Sequence, residues 1–253
     1  MLLSADWPHG VGRRVLPEID STNAEAARVA ASLAGPEWIL GLRQTAGRGR
    51  RGRVWNDPEG NFAATLVMRP EEAPDQVALR SFVAALALHE AFVAATGREQ
   101  AFALKWPNDV LLNGGKVAGI LLESSGFSGG KVSHVAIGIG VNLLHAPRPE
   151  TLEKDATAPV SLASATGVRL TPEQFLDLLA PAYARWEAQF VTYGFEPVRN
   201  AWLARAARLG EVIRARTMRD EHHGTFETID AGGNLVLSTA KGRLVIPAAE
   251  VFF

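Results

Sequence analysis

Gly47-Arg48-Gly49-Arg50-Arg51-Gly52-Arg53 places four guanidiniums within six positions of a chain whose formal net charge is only −1. Arginine stays ionised and presents a planar fork of donors that matches carboxylate and phosphate oxygens. The interleaved glycines let backbone approach a ligand closely. Two further polar clusters lie downstream in apolar surroundings. Lys105-Trp106-Pro107-Asn108-Asp109 sets Lys, Asn and Asp together, and Gly115-Lys116-Val117-Ala118-Gly119 starts an apolar run with one lysine. An unpaired buried ammonium is expensive, so Lys116, close to two glycines, reads as facing an anion. Lys105 reads equally well as a surface lysine with a buried stem. Finally, Ile137-Gly138-Ile139-Gly140-Val141-Asn142 alternates glycine along a strand, which leaves one face bare for a ligand or for another backbone. This set suits chemistry done by fixed positive charge on a strongly anionic partner. The absence of cysteine excludes thiolate catalysis.

The elements that must hold these residues can be read around them. Ser21-Thr22-Asn23-Ala24-Glu25 opens a helix, with capping-box spacing between Thr22 and Glu25. Trp38–Leu42 and Asn61–Met68 read as strands flanking the Arg/Gly loop, and Gln76–Thr96 reads as a long central helix ended by Gly97. Short strands are expected at Phe102–Trp106 and Val110–Leu112. A hairpin follows, Lys116–Glu123 with Val132–Leu143, joined by a Gly-rich turn over Ser124–Gly130. Thr171-Pro172-Glu173-Gln174 starts another helix that Pro181 should kink or divide, and a last helix spans about Glu196–Arg208. Beyond Leu209 the texture turns to short β-like runs with a tight turn at Gly232-Gly233-Asn234. The expected organisation is therefore a ligand-binding domain over 1–208 and a small SH3-like β-domain over 209–253.

Composition bounds the alternatives. Hydrophobic residues make up 47% and charged residues 21% of 253, which is globular. Near-zero net charge argues against wholesale nucleic-acid or membrane binding. Met1–Gly10 has no basic and apolar leader, and no uninterrupted apolar run reaches membrane-spanning length, so a cytoplasmic protein is expected. Gly47-x-Gly49-x-x-Gly52 formally matches the dinucleotide fingerprint, but turn residues follow it where a helix should open. A kinase reading fails because Val135-Ala136-Ile137 is followed by Gly138 rather than lysine. An RNA-binding RG loop stays open on this segment alone; its embedding between strands weighs against it.

In this order the segments STN (21–23), QTAGRGRRGRVW (44–55), KWPNDV with GKVAGILLE (105–123) and GIGVN (138–142) resemble the biotin–protein ligase family. The resemblance covers about residues 15–145. It implies an α+β fold with a mixed sheet flanked by helices, related to class II aminoacyl-tRNA synthetases and lipoate ligases, and a small C-terminal SH3-like β-barrel. It also implies a monofunctional form without the N-terminal DNA-binding domain some members carry, since the STN motif begins at residue 21. By the same resemblance, Ser21, Thr22, Asn23 and Gln44 would bind the ureido head of biotin. Gly47, Arg48, Gly49 and Arg50 would pass its carboxylate side, and Lys116 would meet that carboxylate. Gly119 and Gly138 would leave room for its rings and tail. Arg50, Arg51, Arg53, Trp55, Lys105, Asn108 and Asn142 would line the ATP side. Arg48 and Lys116 would be catalytic, and Asp109 is a candidate for Mg²⁺. Implied partners are biotin, ATP and transiently a biotin carboxyl carrier protein domain, with no DNA or membrane, the enzyme being a monomer or homodimer. A lipoate–protein ligase is the neighbouring alternative; it would lack the polar triad. Four adjacent guanidiniums repel one another, so the Arg48–Arg53 loop is expected to stand open until an anion draws it shut.

Overall fold

In the computed structural model the described residues are 6–55, 58–128, 131–147 and 157–253. A seven-stranded mixed sheet carries the larger part of the chain. Its strands are β1 (Gly12–Leu16), β2 (Glu37–Gly41), β3 (Phe62–Met68), β4 (Phe102–Lys105), β5 (Asp109–Leu112), β6 (Gly115–Ser128) and β7 (Lys131–Val141), in the order β1-β2-β3-β7-β6-β5-β4. Only β1 and β2 run parallel; the other neighbours are antiparallel. β1 was not expected: its alternation of exposed and half-buried residues, two of them arginines, carries little apolar signal.

The strands sort their side chains onto two faces, as a period of two requires. Phe62, Ala64 and Leu66 of β3, Ala118 and Ile120 of β6, and Val135, Ile137, Ile139 and Val141 of β7 join the main core. Helices α3 (Arg80–Thr96) and α5 (Pro172–Tyr193) pack on that face, with α6 (Phe195–Leu203) against both and the short α4 (Leu162–Thr166) preceding α5 in the chain. Rings at 5.0–5.2 Å link the layers in a chain, Phe62 to Phe175, Phe175 to Phe92, and Phe92 to Phe102. Truncating one such buried ring to alanine costs about 3–5 kcal/mol. The opposite face meets helix α1 (Thr22–Val29), where Ala26, Ala30, Ile39, Val67 and Ala136 form a small second cluster. That face also carries Ala63, Thr65, Gly119, Gly138 and Gly140, and the small side chains there leave the concavity described below.

Several expectations change. The 76–96 helix is two, α2 (Pro74–Ala78) and α3, parted at Leu79. An 18-residue window within Pro74–Thr96 has a mean hydropathy of 1.6, apolar enough to cross a membrane, but 72% of that window is buried in this fold, as a core helix is. Pro181 does not divide α5, which runs unbroken for 22 residues behind a Thr171–Gln174 capping box; packing along α3 overrides the missing hydrogen bond. The β6–β7 hairpin extends through Ser128 and Lys131, because pairing continues across Ser124–Val135 and Ser125–His134; the rest of the expected turn, 129–130, lies outside the described residues.

The C-terminal strands β8 (Val212–Arg216), β9 (Glu221–Ile229), β10 (Leu235–Thr239), β11 (Gly242–Ile246) and β12 (Glu250–Phe252) form one antiparallel sheet ordered β11-β10-β9-β8-β12. Among the described residues the pairings run from β11 to β12, so the small β-module expected over 209–253 is an antiparallel sheet with no pairing between its two outer strands. Its Ile213, Phe226, Leu235 and Leu237 are continuous with the main core, and Trp106 Nε1 donates to Gly233 O at 3.0 Å.

Candidate functional site

The start of α1 supplies one end of the site. Ser21 is its N-cap residue, yet no side chain caps this helix. The hydroxyl of Thr22 goes elsewhere, donating to Gln44 Oε1 at 3.1 Å while the Thr22 backbone N–H donates to the same oxygen at 2.9 Å. Glu25, the expected capping partner, accepts from Arg28 instead. Thr65 of β3 lies 2.8 Å from Thr22 Oγ1 and donates to Asn23 Oδ1 at 2.6 Å. Asn23 Nδ2 donates to Glu123 Oε2 at 2.7 Å and to Leu121 O at 3.3 Å. Ser21, Thr22, Asn23 and Thr65 are all buried, so this is a desolvated polar floor whose groups are held by one another. Gly138 lies beneath it: a Cβ there would come 2.3 Å from Asn23 Oδ1.

The cationic loop is folded back on itself across the cavity, not open. Gly49 N–H donates to Arg53 O at 2.7 Å and Trp55 N–H to Gly47 O at 3.0 Å, with Arg51 and Gly52 at positive φ making the turn. A Cβ at Gly47 would come 2.6 Å from Trp55 O, so the close strand approach needs glycine. Carboxylates and an amide answer the expected repulsion. Arg48 Nη2 lies 3.4 Å from Glu123 Oε2, and Arg50 Nη1 donates to Asn108 Oδ1 at 3.0 Å. Arg51 and Arg53 reach Glu250 of β12 at 3.2 and 2.7 Å, and Arg216 of β8 joins them at 3.3 Å. The hydrogen bond from Arg53 leads the causes that bring the Glu250 carboxyl down to about 2. Burial pulls the Arg50 guanidinium below its ordinary value.

Lys116 extends from β6 beside the bare glycine face, where its Nζ pairs with Asp109 Oδ1 at 2.6 Å. Lys116 thus faces a carboxylate of the protein itself, and Asp109 fixes where its charge sits. The Trp55 indole covers Gly140, where a Cβ would come 2.3 Å from ring atom Cε2, and it also touches the Gly119 position. The buried Trp55 Nε1 and Asn142 Oδ1 have no hydrogen-bond partner among the described residues. Asn142 Nδ2 donates to Val160 O at 3.2 Å. Lys105 is buried, donates to Thr157 Oγ1 at 2.5 Å and lies 4.9 Å from the Phe253 ring centroid. Burial lowers its ammonium pKa. The surface-lysine alternative for Lys105 is thereby excluded.

These groups line one cavity of about 530 Å³, with Ser21, Thr22, Asn23 and Gln44 among its polar walls. Arg48, Arg50, Arg51, Arg53, Lys105 and Lys116 face Asp109 and Glu250 as the only carboxylates among the described residues that line it. Of the residues expected at the site, only Gly47 lies outside this lining, in the backbone turn behind it. Sequence reasoning assigned no role to Thr65, Glu123 or Glu250. Glu123 closes the GKVAGILLE segment and Thr65 is the one hydroxyl in NFAATLVM, which is signal enough to have marked both. Glu250 meets arginines almost two hundred positions away, and nothing local marks it.

The chain is similar to known proteins over nearly its whole length. A model of the biotin/lipoate A/B protein ligase family matches residues 15–142, and one of the biotin protein ligase C-terminal domain matches 209–253. The biotin–[acetyl-CoA-carboxylase] ligase of Paracoccus denitrificans is 62% identical over 239 residues, 94% of this chain and 99% of that protein. The bifunctional ligase/repressor of Bacillus subtilis is 32% identical over 239 residues, 92% of this chain but 72% of that protein. Among solved structures, the Aquifex aeolicus biotin protein ligase in complex with biotin and ATP superposes with a TM-score of 0.79 at 26% identity, covering 95% of this chain and 97% of that one.

Proposed function

The chain belongs to the biotin/lipoate A/B protein ligase family, and we propose that its cationic cavity is where biotin and ATP are joined. The protein is an ATP-dependent biotin–protein ligase: it activates biotin as biotinyl-5′-AMP and transfers it to a lysine of a biotin carboxyl carrier domain.

In the first step the biotin carboxylate attacks the α-phosphorus of ATP and pyrophosphate leaves. Both reactants are anionic, so the barrier is dominated by their repulsion and by charge growing on phosphate oxygens. Fixed cations and alignment lower it without a covalent enzyme intermediate. Lys116 is assigned to the biotin carboxylate, and its pairing with Asp109 holds the ammonium on the glycine face in advance. Arg48 and Arg50 are assigned to the junction where the carboxylate oxygen meets the α-phosphorus, and Arg51, Arg53 and Lys105 to the phosphates. Asn108 orients Arg50. Trp55 and Asn142, whose Nε1 and Oδ1 are unpaired among the described residues, offer the nucleotide a ring face, a donor and an acceptor. Ser21, Thr22, Asn23 and Gln44 supply the hydroxyl and amide groups that suit a ureido head; a lipoyl dithiolane has no use for them.

Mg²⁺ is expected to arrive on the triphosphate and neutralise part of its charge. Among the described residues no cluster of three or more acidic, His or Cys side chains forms a cage. Asp109 is the wall carboxylate we assign to it. In the second step the carrier lysine attacks the adenylate carbonyl and AMP leaves. The six surrounding cations favour that amine in its neutral, nucleophilic form.

The observation that carries this reading is the convergence in one cavity of a buried polar triad, a paired lysine and four loop arginines. Pyrophosphate release from ATP, measured with biotin, with lipoate and with neither, tests it. Release that requires biotin, followed by label transfer to a carrier domain, is expected. Release with lipoate alone would move the assignment to the neighbouring family branch.

A further inference from the structure

One carboxylate oxygen joins the two ends of the site. Glu123 Oε2 accepts from Asn23 Nδ2 at 2.7 Å and lies 3.4 Å from Arg48 Nη2. Glu123 stands on β6, paired with Ala136 of β7, the same strand that carries Lys116 and Gly119. We propose that Glu123 is a positioning residue that ties the biotin-head residue Asn23 to Arg48 of the cationic loop.

Two physical arguments support this. The first concerns the Asn23 amide, which has a donor end and an acceptor end. Its Oδ1 takes the Thr65 hydroxyl at 2.6 Å and its Nδ2 faces two acceptors, Glu123 Oε2 and Leu121 O. A flipped amide would set its oxygen against that carboxylate and that carbonyl, so Glu123 decides which polar atom Asn23 offers a ligand. The second concerns Arg48. Among the described residues its carboxylate partner is Glu123, anchored on a central strand, whereas Arg51 and Arg53 are held by Glu250 of the C-terminal sheet. The loop's leading arginine is therefore referenced to the strand that carries Lys116, and the chain of contacts Gln44–Thr22–Thr65–Asn23–Glu123–Arg48 runs unbroken from biotin head to loop.

The assignment rests on the ligase reading, and two substitutions separate its arms. Glu123→Gln keeps an acceptor for Asn23 but removes the charge facing Arg48; Glu123→Ala removes both. Biotin affinity and the rate of biotinyl-AMP loss are measured for each, alone and combined with Arg48→Gln. For Glu123→Gln, biotin affinity stays within about twofold of wild type while adenylate loss accelerates about three- to tenfold, the worth of one partly exposed charged contact. Combined with Arg48→Gln, it adds no further acceleration. Glu123→Ala also weakens biotin. Adenylate loss unchanged in Glu123→Gln, or effects that multiply in the double variant, overturns the assignment, and the glutamine variant suffices if the alanine variant does not fold. A wild-type chain that makes no adenylate overturns the ligase reading itself, and this inference falls with it.

Discussion

At the scale of single residues, three cations of the site have three different anchors, and the anchors divide the labour. Lys116 is set by Asp109 at 2.6 Å, Arg50 by Asn108, and Arg48 by Glu123. The types and spacing of these cations were legible in the sequence, since Arg and Gly in that density have few other uses. Their partners were not, because side-chain pairing across strands leaves no local trace. Thr22 shows the same limit. Its spacing to Glu25 suggested a helix cap, but the hydroxyl serves Gln44, so a rule for local capping lost to a tertiary contact. Arg48 has the loosest anchor of the three, at 3.4 Å, and half its side chain is exposed. Arg48→Gly should therefore leave folding intact and shed biotinyl-AMP about tenfold faster, the loss of one charged contact to the adenylate. Labelling of bystander lysines in an added protein reads this out; retention equal to wild type would leave Arg48 without that role.

At the scale of elements, β7 explains why the site lies where it does. Its odd-numbered residues from Val135 to Val141 fill the main core, and its even positions, Ala136, Gly138 and Gly140, clear the opposite face for α1 and the loop. The alternation was visible in the sequence as a bare strand face; what covers it was not. Asn23 covers Gly138 and Trp55 covers Gly140. Gly138→Ala should push Asn23 out of its contacts, at about 1–3 kcal/mol of overpacking. The expected outcome is biotin affinity reduced about tenfold or more and a Tm lowered by roughly 2–10 °C. Calorimetric titration of wild type and Gly138→Ala with biotin checks this, and equal affinities would mean that Asn23 does not need the bare face.

At the scale of the whole molecule, the C-terminal sheet is part of the site. It shares the main core, and its Glu250 gathers Arg51, Arg53 and Arg216 beside the cavity. The sequence announced a small β-module but not its strand order or its reach into the loop, because both depend on how β12 lands beside β8. The carboxyl of Glu250 is brought from 4.5 to about 2, so its ionised form is favoured by folding. Its contribution is therefore complete above about pH 4.5 and disappears as pH falls towards 2. Glu250→Gln should lower stability at pH 7 and raise the pH of acid unfolding, with the two proteins converging near pH 2. Circular dichroism across that range checks this; parallel acid transitions would remove Glu250 from the account. The central claim, that a placed ammonium and a folded cationic loop together offset the repulsion between two anions, is tested most directly by single-turnover formation of biotinyl-AMP in wild type and Lys116→Ala. The account predicts a rate reduced about a hundredfold or more in a variant whose Tm is nearly unchanged. Adenylate formed at the wild-type rate by a folded Lys116→Ala protein would contradict it.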